Sequence, residues 1–186
     1  MKDLKERNGN MNADKSLELT HPVDISRIEQ VNLSATYNLS SYTVGSKSED
    51  GDGSGIEIFH NNELTHQLKF KINTNCSDNR TELFAILKAL QLVQHHKHVR
   101  LKSATMSSDG KITLGFLKNN KNHSTLTEQI RHYLKLLIDG NWTTAYTWIK
   151  THAGIIGKDM AGNLAERAKT SQHYTTKYLR VNSSQL

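Results

Sequence analysis

The stretch "WIKTHAGIIGKDMAGNLAERAK" (148–169) holds a histidine, His152, between Thr151 and Ala153, with Gly154 and Gly157 close behind. Glycines at that spacing let the backbone place an imidazole freely, and an imidazole so placed can move protons near neutral pH. Two carboxylates are candidates to work with it. Asp109 closes the short apolar run "ATMSSD" (104–109), and the carboxyl ends of strands are where α/β sheets form their crevices. Glu82 falls one turn inside an amphipathic helix, beside Leu83 and Phe84, so it is a candidate to face inward. Each acid alone also fits an ordinary surface carboxylate. Brought together, two acids and a histidine have the chemistry of a metal-dependent phosphodiester site, with carboxylates on Mg²⁺ and the imidazole handling protons. One residue is out of keeping. Gly162 sits inside the helix that follows His152, where glycine costs roughly 1 kcal/mol against alanine and offers no side chain.

The elements that must bring these residues together are legible in the hydrophobic pattern. "YNLSSYTVGS" (37–46) reads as a strand, "SEDGDGSG" (48–55) as a turn-rich loop, and "IEIFHN" with "THQLKFKI" as alternating antiparallel strands. The pattern predicts a helix over about 79–94, with N-cap candidates Ser77, Asp78 and Asn79 and an apolar face of Leu83, Phe84, Ile86, Leu87 and Leu90. Next come a strand at 104–109, a short helix over about 111–117 and a helix over about 124–138. A last strand at 143–149 and a helix opening near Lys158 or Asp159 complete the set. Three strands in a row, then alternating α and β units, argue an α/β fold: a mixed sheet flanked by helices. Residues 1–36 read as a disordered lead, 37–172 as one folded domain and 173–186 as a flexible tail.

Charge is unevenly spread over the 186 residues. Residues 1–35 hold five Lys/Arg against six Asp/Glu, whereas residues 36–186 hold nineteen against twelve, a surplus of seven positive charges. A basic folded part suits a polyanionic partner, though solubility alone accounts for it equally well. No run of about 18 apolar residues and no signal-peptide pattern is present, so the expectation is a chain away from membranes. The lone cysteine, Cys76, suits a reducing cytoplasmic or nuclear setting.

Three segments carry a more specific likeness. "NRTELFAILKAL" (79–90), "SSDGKITLGFLKNNKNHSTLTEQIR" (107–131) and "WIKTHAGIIGKDMAGNLAERAK" (148–169) resemble the type 1 ribonuclease H domain, most of all that of insect non-LTR retrotransposon polyproteins. "YTVGSKSEDGDGSGIEIF" (42–59) fits its first hairpin, and the resemblance runs over about residues 38–170. It implies the ribonuclease H-like fold, a five-stranded mixed sheet with helices on both faces. It also implies Mg²⁺-dependent hydrolysis of the RNA strand of an RNA–DNA hybrid, by four carboxylates around two metal ions. Glu82 and Asp109 match the second and third acids, His152 matches the histidine of the mobile loop, and Asn79 matches a position that touches the hybrid. Arg80 beside it is a further candidate substrate contact. The first acid is replaced by Val44 in "YTVGS" and the fourth by Gly162 in "GKDMAG"; Gly110 replaces the serine usual after the third acid.

Two acids in place of four weaken the case for catalysis, because Mg²⁺ dehydrates reluctantly and wants several oxygen ligands. Asp159, three residues before Gly162, is the first candidate to lend an oxygen to Mg²⁺ or Mn²⁺, followed by Glu49, Asp50 and Asp52. The reading is therefore a hybrid- or duplex-binding domain with cleavage lost or strongly impaired. Its rivals are an active hydrolase with substitute ligands and a non-catalytic partner-binding module. Lesser features are "HHKH" (95–98), read as cations at a helix end, and "LKNNKNH" (117–123) with Lys102 and Lys111, a candidate phosphate-contacting edge. Trp142 and Trp148 read as core or half-buried side chains.

Overall fold

The computed structural model describes residues 37–49, 51–72, 77–96, 100–119, 121–149 and 154–171. The lead, the tail beyond Ser171, Asp50, Cys76 and His152 lie outside the described residues. Five strands and four helices follow in the order β1 (Leu39–Ser48), β2 (Gly51–His60), β3 (Glu63–Ile72), α1 (Asp78–His95), β4 (Ser103–Ser108), α2 (Lys111–Lys118), α3 (Thr125–Asp139), β5 (Thr143–Trp148) and α4 (Ile156–Lys169). They build the α/β architecture expected, one five-stranded mixed sheet in the order β3-β2-β1-β4-β5. β1, β2 and β3 pair antiparallel, while β4 pairs parallel to both β1 and β5.

The β2–β3 hairpin closes on Asn61 and Asn62, with φ of 51° and 67°. A two-residue turn with both φ positive matches the strand twist, and asparagine tolerates that region better than most residues. α1 and α3 pack on one face of the sheet. Leu83, Ile86, Leu87 and Leu90 of α1 meet Ile130, Leu134 and Leu137 of α3 over Leu39, Ile56, Ile58 and Met106. Ser124 caps α3 by accepting from the Thr127 amide at 3.3 Å. Trp142 is buried and Trp148 half-buried against this core.

Arg131 of α3 is 3 % exposed yet fully engaged. It donates to the Asn119 and Asn122 carbonyls, both at 2.6 Å, and to Glu128 Oε1 at 2.8 Å. It thereby takes up carbonyls beyond the last turn of α2, where no helical donor remains. Lys102 plays a similar part at the end of α3, its Nζ donating to the Gly140 carbonyl at 2.9 Å.

The other face belongs to α4, and here the sequence expectation fails. "SEDGDGSG" is not a long loop: β1 runs to Ser48, β2 begins at Gly51, and Gly53 and Gly55 lie inside the strand. Their composition mimics a turn because the same residue type serves a second purpose. A Cβ on Gly53 would stand 2.1 Å from the Ala165 carbonyl oxygen, and one on Gly55 would stand 1.9 Å from that of Ala161. The bare strand lets α4 settle onto β2 backbone to backbone, with Ala161 and Ala165 as its contact stripe. The helix also opens earlier than the pattern predicts, at Ile156.

Gly55→Ala must push α4 off the sheet. We expect a loss of about 3 kcal/mol in urea unfolding, at the upper end of overpacking costs, with little change from Ala at the uncrowded Gly115 beyond the helix propensity gain.

Candidate functional site

Chain direction reverses its lateral course at β1: β2 and β3 build outward on one side, β4 and β5 on the other. Such a switch point, at the carboxyl ends of parallel neighbours, leaves a crevice. Thr43 and Ser108 are the last paired residues of β1 and β4, so Val44 and Asp109 follow them at the crevice edge. A cavity of about 470 Å³ opens there, and its lining includes Val44, Asp109, Lys158, Asp159, Gly162 and Glu166.

Glu82 approaches from α1 on the opposite face. It sits at the end of the sheet against two glycines: a Cβ on Gly45 would meet the Glu82 amide nitrogen at 2.8 Å, and one on Gly110 would lie 1.5 Å from Glu82 Oε2. The space a serine side chain would take after Asp109 is filled by this carboxylate. The Thr113 hydroxyl donates to the same Oε2 at 2.8 Å. Burial, and then the negative Asp109, push the Glu82 carboxyl up to about 7; the Thr113 hydrogen bond and Lys158 act in the opposite direction. Glu82, Asp109, Val44 and Gly162 thus meet at one end of the sheet, although they are far apart in the chain.

Asp109 is held by its backbone as well as its strand, since Trp148 Nε1 donates to the Asp109 carbonyl at 2.9 Å. Its carboxylate meets a residue that sequence reasoning passed over. Lys158 Nζ lies 2.8 Å from Asp109 Oδ2, with only 3 % of the lysine side chain exposed. The separation is short but the approach is off the hydrogen-bonding direction, so the contact is an ion pair first. Asp109 Oδ1 is buried without a partner. Burial lowers the Lys158 pKa, and Asp109, Glu82 and Asp159 each work to raise it. Lys158 was hidden because a lysine in a helix's first turn looks like a surface residue.

The remaining candidates divide. Asp159 lines the cavity and is exposed. Asp52 does not line it: the residue is completely buried in β2, paired across to Ile72, with neither carboxylate oxygen hydrogen-bonded. Glu49 is an exposed turn residue outside the lining. Asn79 and Arg80 occupy the first turn of α1, one turn before Glu82, and are half-buried. Of the histidine run, His95 ends α1 and His96 follows it; burial first, then His66, His60 and His95, lower the His96 pKa, so it is a poor cation. His66 and His96 stack edge to face at 5.0 Å. Lys111 stands 5.6 Å over the Trp148 ring, close to the crevice.

These residues do not fit a divalent metal. Val44 offers methyl groups, Gly162 offers nothing, and the Lys158 ammonium faces Asp109. Among the described residues, no group of three or more His, Cys, Asp or Glu side chains is arranged to hold an ion.

The fold is a mixed α/β sheet with a crevice at its switch point, and comparison with known proteins gives its family. The RNase H family profile matches residues 37–170, and the chain belongs to that family. It is similar to the ribonuclease H of Orientia tsutsugamushi (strain Boryong), 27% identical over 139 residues that cover 69% of this chain and 80% of the relative. RNase H1 from the halophilic archaeon Halobacterium salinarum NRC-1 shares the fold, with TM-score 0.53 and 12% identity over 70% of this chain and 96% of its own. So does the N-terminal RNase H domain of a Mycobacterium tuberculosis protein, with TM-score 0.56 and 14% identity over 72% and 94%. No helix among the described residues is long and apolar enough to cross a membrane.

The Glu82 environment makes stability depend on pH. Unfolded glutamate titrates near 4.5 and folded Glu82 near 7, so between these values the folded chain keeps a proton that the unfolded chain has released. Stability from this group therefore falls as pH rises through 4.5 to 7, by up to about 3 kcal/mol, and levels off above. Chemical unfolding across pH 4–8 should show this fall in the native protein, and Glu82→Gln should flatten it.

Proposed function

We propose that this domain binds RNA–DNA hybrid or related duplex and has lost, or nearly lost, the hydrolysis its family performs. The observation that carries the reading is the shared cavity in which Val44, Gly162 and Lys158 stand beside Asp109. Two ions close together need several carboxylates to offset their repulsion, and here a hydrocarbon, a bare helix position and a cation take that role's place. Loss of about 4 kcal/mol of transition-state stabilisation already slows a reaction roughly a thousandfold. The sequence likeness to insect retrotransposon domains supports an origin in a mobile element as part of this reading.

The binding half rests on charge and on family membership. The surplus of seven positive charges lies in residues 36–186. Lys111, Lys118 and Lys121 are exposed along α2 and the turn after it, in the segment already read as a phosphate-contacting edge. Asn79 and Arg80 at the start of α1 would add contacts beside the cavity. If Asn79 touches a 2′-hydroxyl, hybrid is preferred over plain DNA duplex.

One assay measures both halves: labelled hybrid with Mg²⁺ or Mn²⁺, read by anisotropy for binding and by gel for cleavage. Hybrid affinity should drop about a hundredfold between 50 and 200 mM salt for roughly four phosphate contacts, and Lys111→Ala should reduce the salt slope by about one. No product should form. Cleavage that Glu82→Gln abolishes would make the protein a working hydrolase, with Asp159 as the substitute ligand. Negligible affinity for hybrid and duplex alike at 50 mM salt would leave a partner-binding module.

A further inference from the structure

We infer that Lys158 is a tethered cation occupying the place of a metal ion at Asp109, so that the site carries its own counter-charge and is closed to divalent ions. The inference deepens the reading of a non-hydrolytic site and rests on it. Its support lies in where the lysine is. Lysine is rarely buried unless paired, and Lys158 is 3 % exposed. It also stands in the first turn of α4, the positive end of the helix dipole, where a cation is disfavoured. Two unfavourable placements at once require a specific partner, and the structure supplies it in Asp109 Oδ2 at 2.8 Å.

Geometry makes the lysine and an ion mutually exclusive at that oxygen. Mg²⁺ binds carboxylate oxygen at about 2.0–2.1 Å and holds the rest of its shell octahedrally, so on the lysine's side of Oδ2 it would overlap the ammonium. The other oxygen, Oδ1, is buried and so has no room for an ion with its waters. The missing side chain at Gly162 belongs to the same arrangement. Gly162 is four residues on from Lys158, on the same helix face, and a Cβ there would touch nothing within 4 Å. The lysine therefore reaches inward past an open position, no side chain at 162 competes with Asp109 for it, and Glu166 one turn further on pairs with Lys169 instead.

The test reads metal binding without nucleic acid, so its outcome is independent of hybrid binding or cleavage. Mn²⁺ is titrated into the full 186-residue chain and followed by the electron paramagnetic resonance of free Mn²⁺. Native protein and Lys158→Arg should show no saturable site below about 10 mM. Lys158→Asn should gain a site at least tenfold tighter, and Asp109→Asn added to it should abolish that site. Equal Mn²⁺ affinity in native protein and Lys158→Asn, or a gained site indifferent to Asp109→Asn, overturns the inference. Should Lys158→Asn fail to fold, the native protein decides alone: near-stoichiometric Mn²⁺ broadening the Gly110 and Gly162 amide resonances overturns it, and sharp resonances at millimolar Mn²⁺ support it. Native protein that shows no Mn²⁺ site yet cleaves hybrid would overturn the proposed function and leave the tethered cation standing.

Discussion

Everything at the site depends on how closely α4 lies against β2. Gly53 and Gly55 leave the strand without side chains on that face, and the Ala161 and Ala165 carbonyls come to within a Cβ's reach of it. A helix seated that deeply carries its first turn over the ends of β1 and β4. That is why Lys158, on that turn, meets Asp109, at the end of β4. Were α4 held off by ordinary side chains, the ammonium would have solvent available and little reason to stay buried. The packing contact is thus the mechanical cause of the electrostatic one.

The electrostatics in turn explain how two acids coexist at the sheet end. Glu82 arrives from α1 and Asp109 follows the end of β4, and the negative Asp109 adds to the cost of ionising Glu82. Three things offset that cost: the Thr113 hydroxyl on Glu82, Lys158 beside Asp109, and a raised pKa that lets Glu82 hold a proton near neutrality. Gly110 belongs to the same solution, since any larger residue there would displace the Glu82 carboxylate. A single lysine and a titrating glutamate balance the site with charges the chain itself provides. A buried ion pair of this kind need not add stability over an apolar pair, but removing one partner leaves an unmatched charge. The cavity beyond stays open, bounded by Asp159 and Glu166, the latter drawn towards Ser46 and Lys169.

Much of this was legible in residue order. Alternation and helical period located the strands and helices to within a few residues, because apolar side chains must share a face whatever the final packing. The likeness to the ribonuclease H pattern picked out Glu82, Asp109, Val44 and Gly162, and the fold brings all four to one end of the sheet. Glycine was the source of the main error. In "SEDGDGSG" it was read as loop, since composition alone does not separate a glycine that turns the chain from one that admits a helix.

Lys158 and Arg131 show where a one-dimensional reading stops. Each is a basic residue on an amphipathic helix, where solvent exposure is the ordinary outcome, and each is 3 % exposed. Sequence by itself determined the element types, the sheet's mixed character and the valine and glycine at positions 44 and 162, since those follow from local periodicity and from side chains present or missing. Only the tertiary structure decided which cation meets which carboxylate. Burial and pairing depend on distances between segments about fifty residues apart, and those are set by the depth at which α4 seats on the glycines of β2.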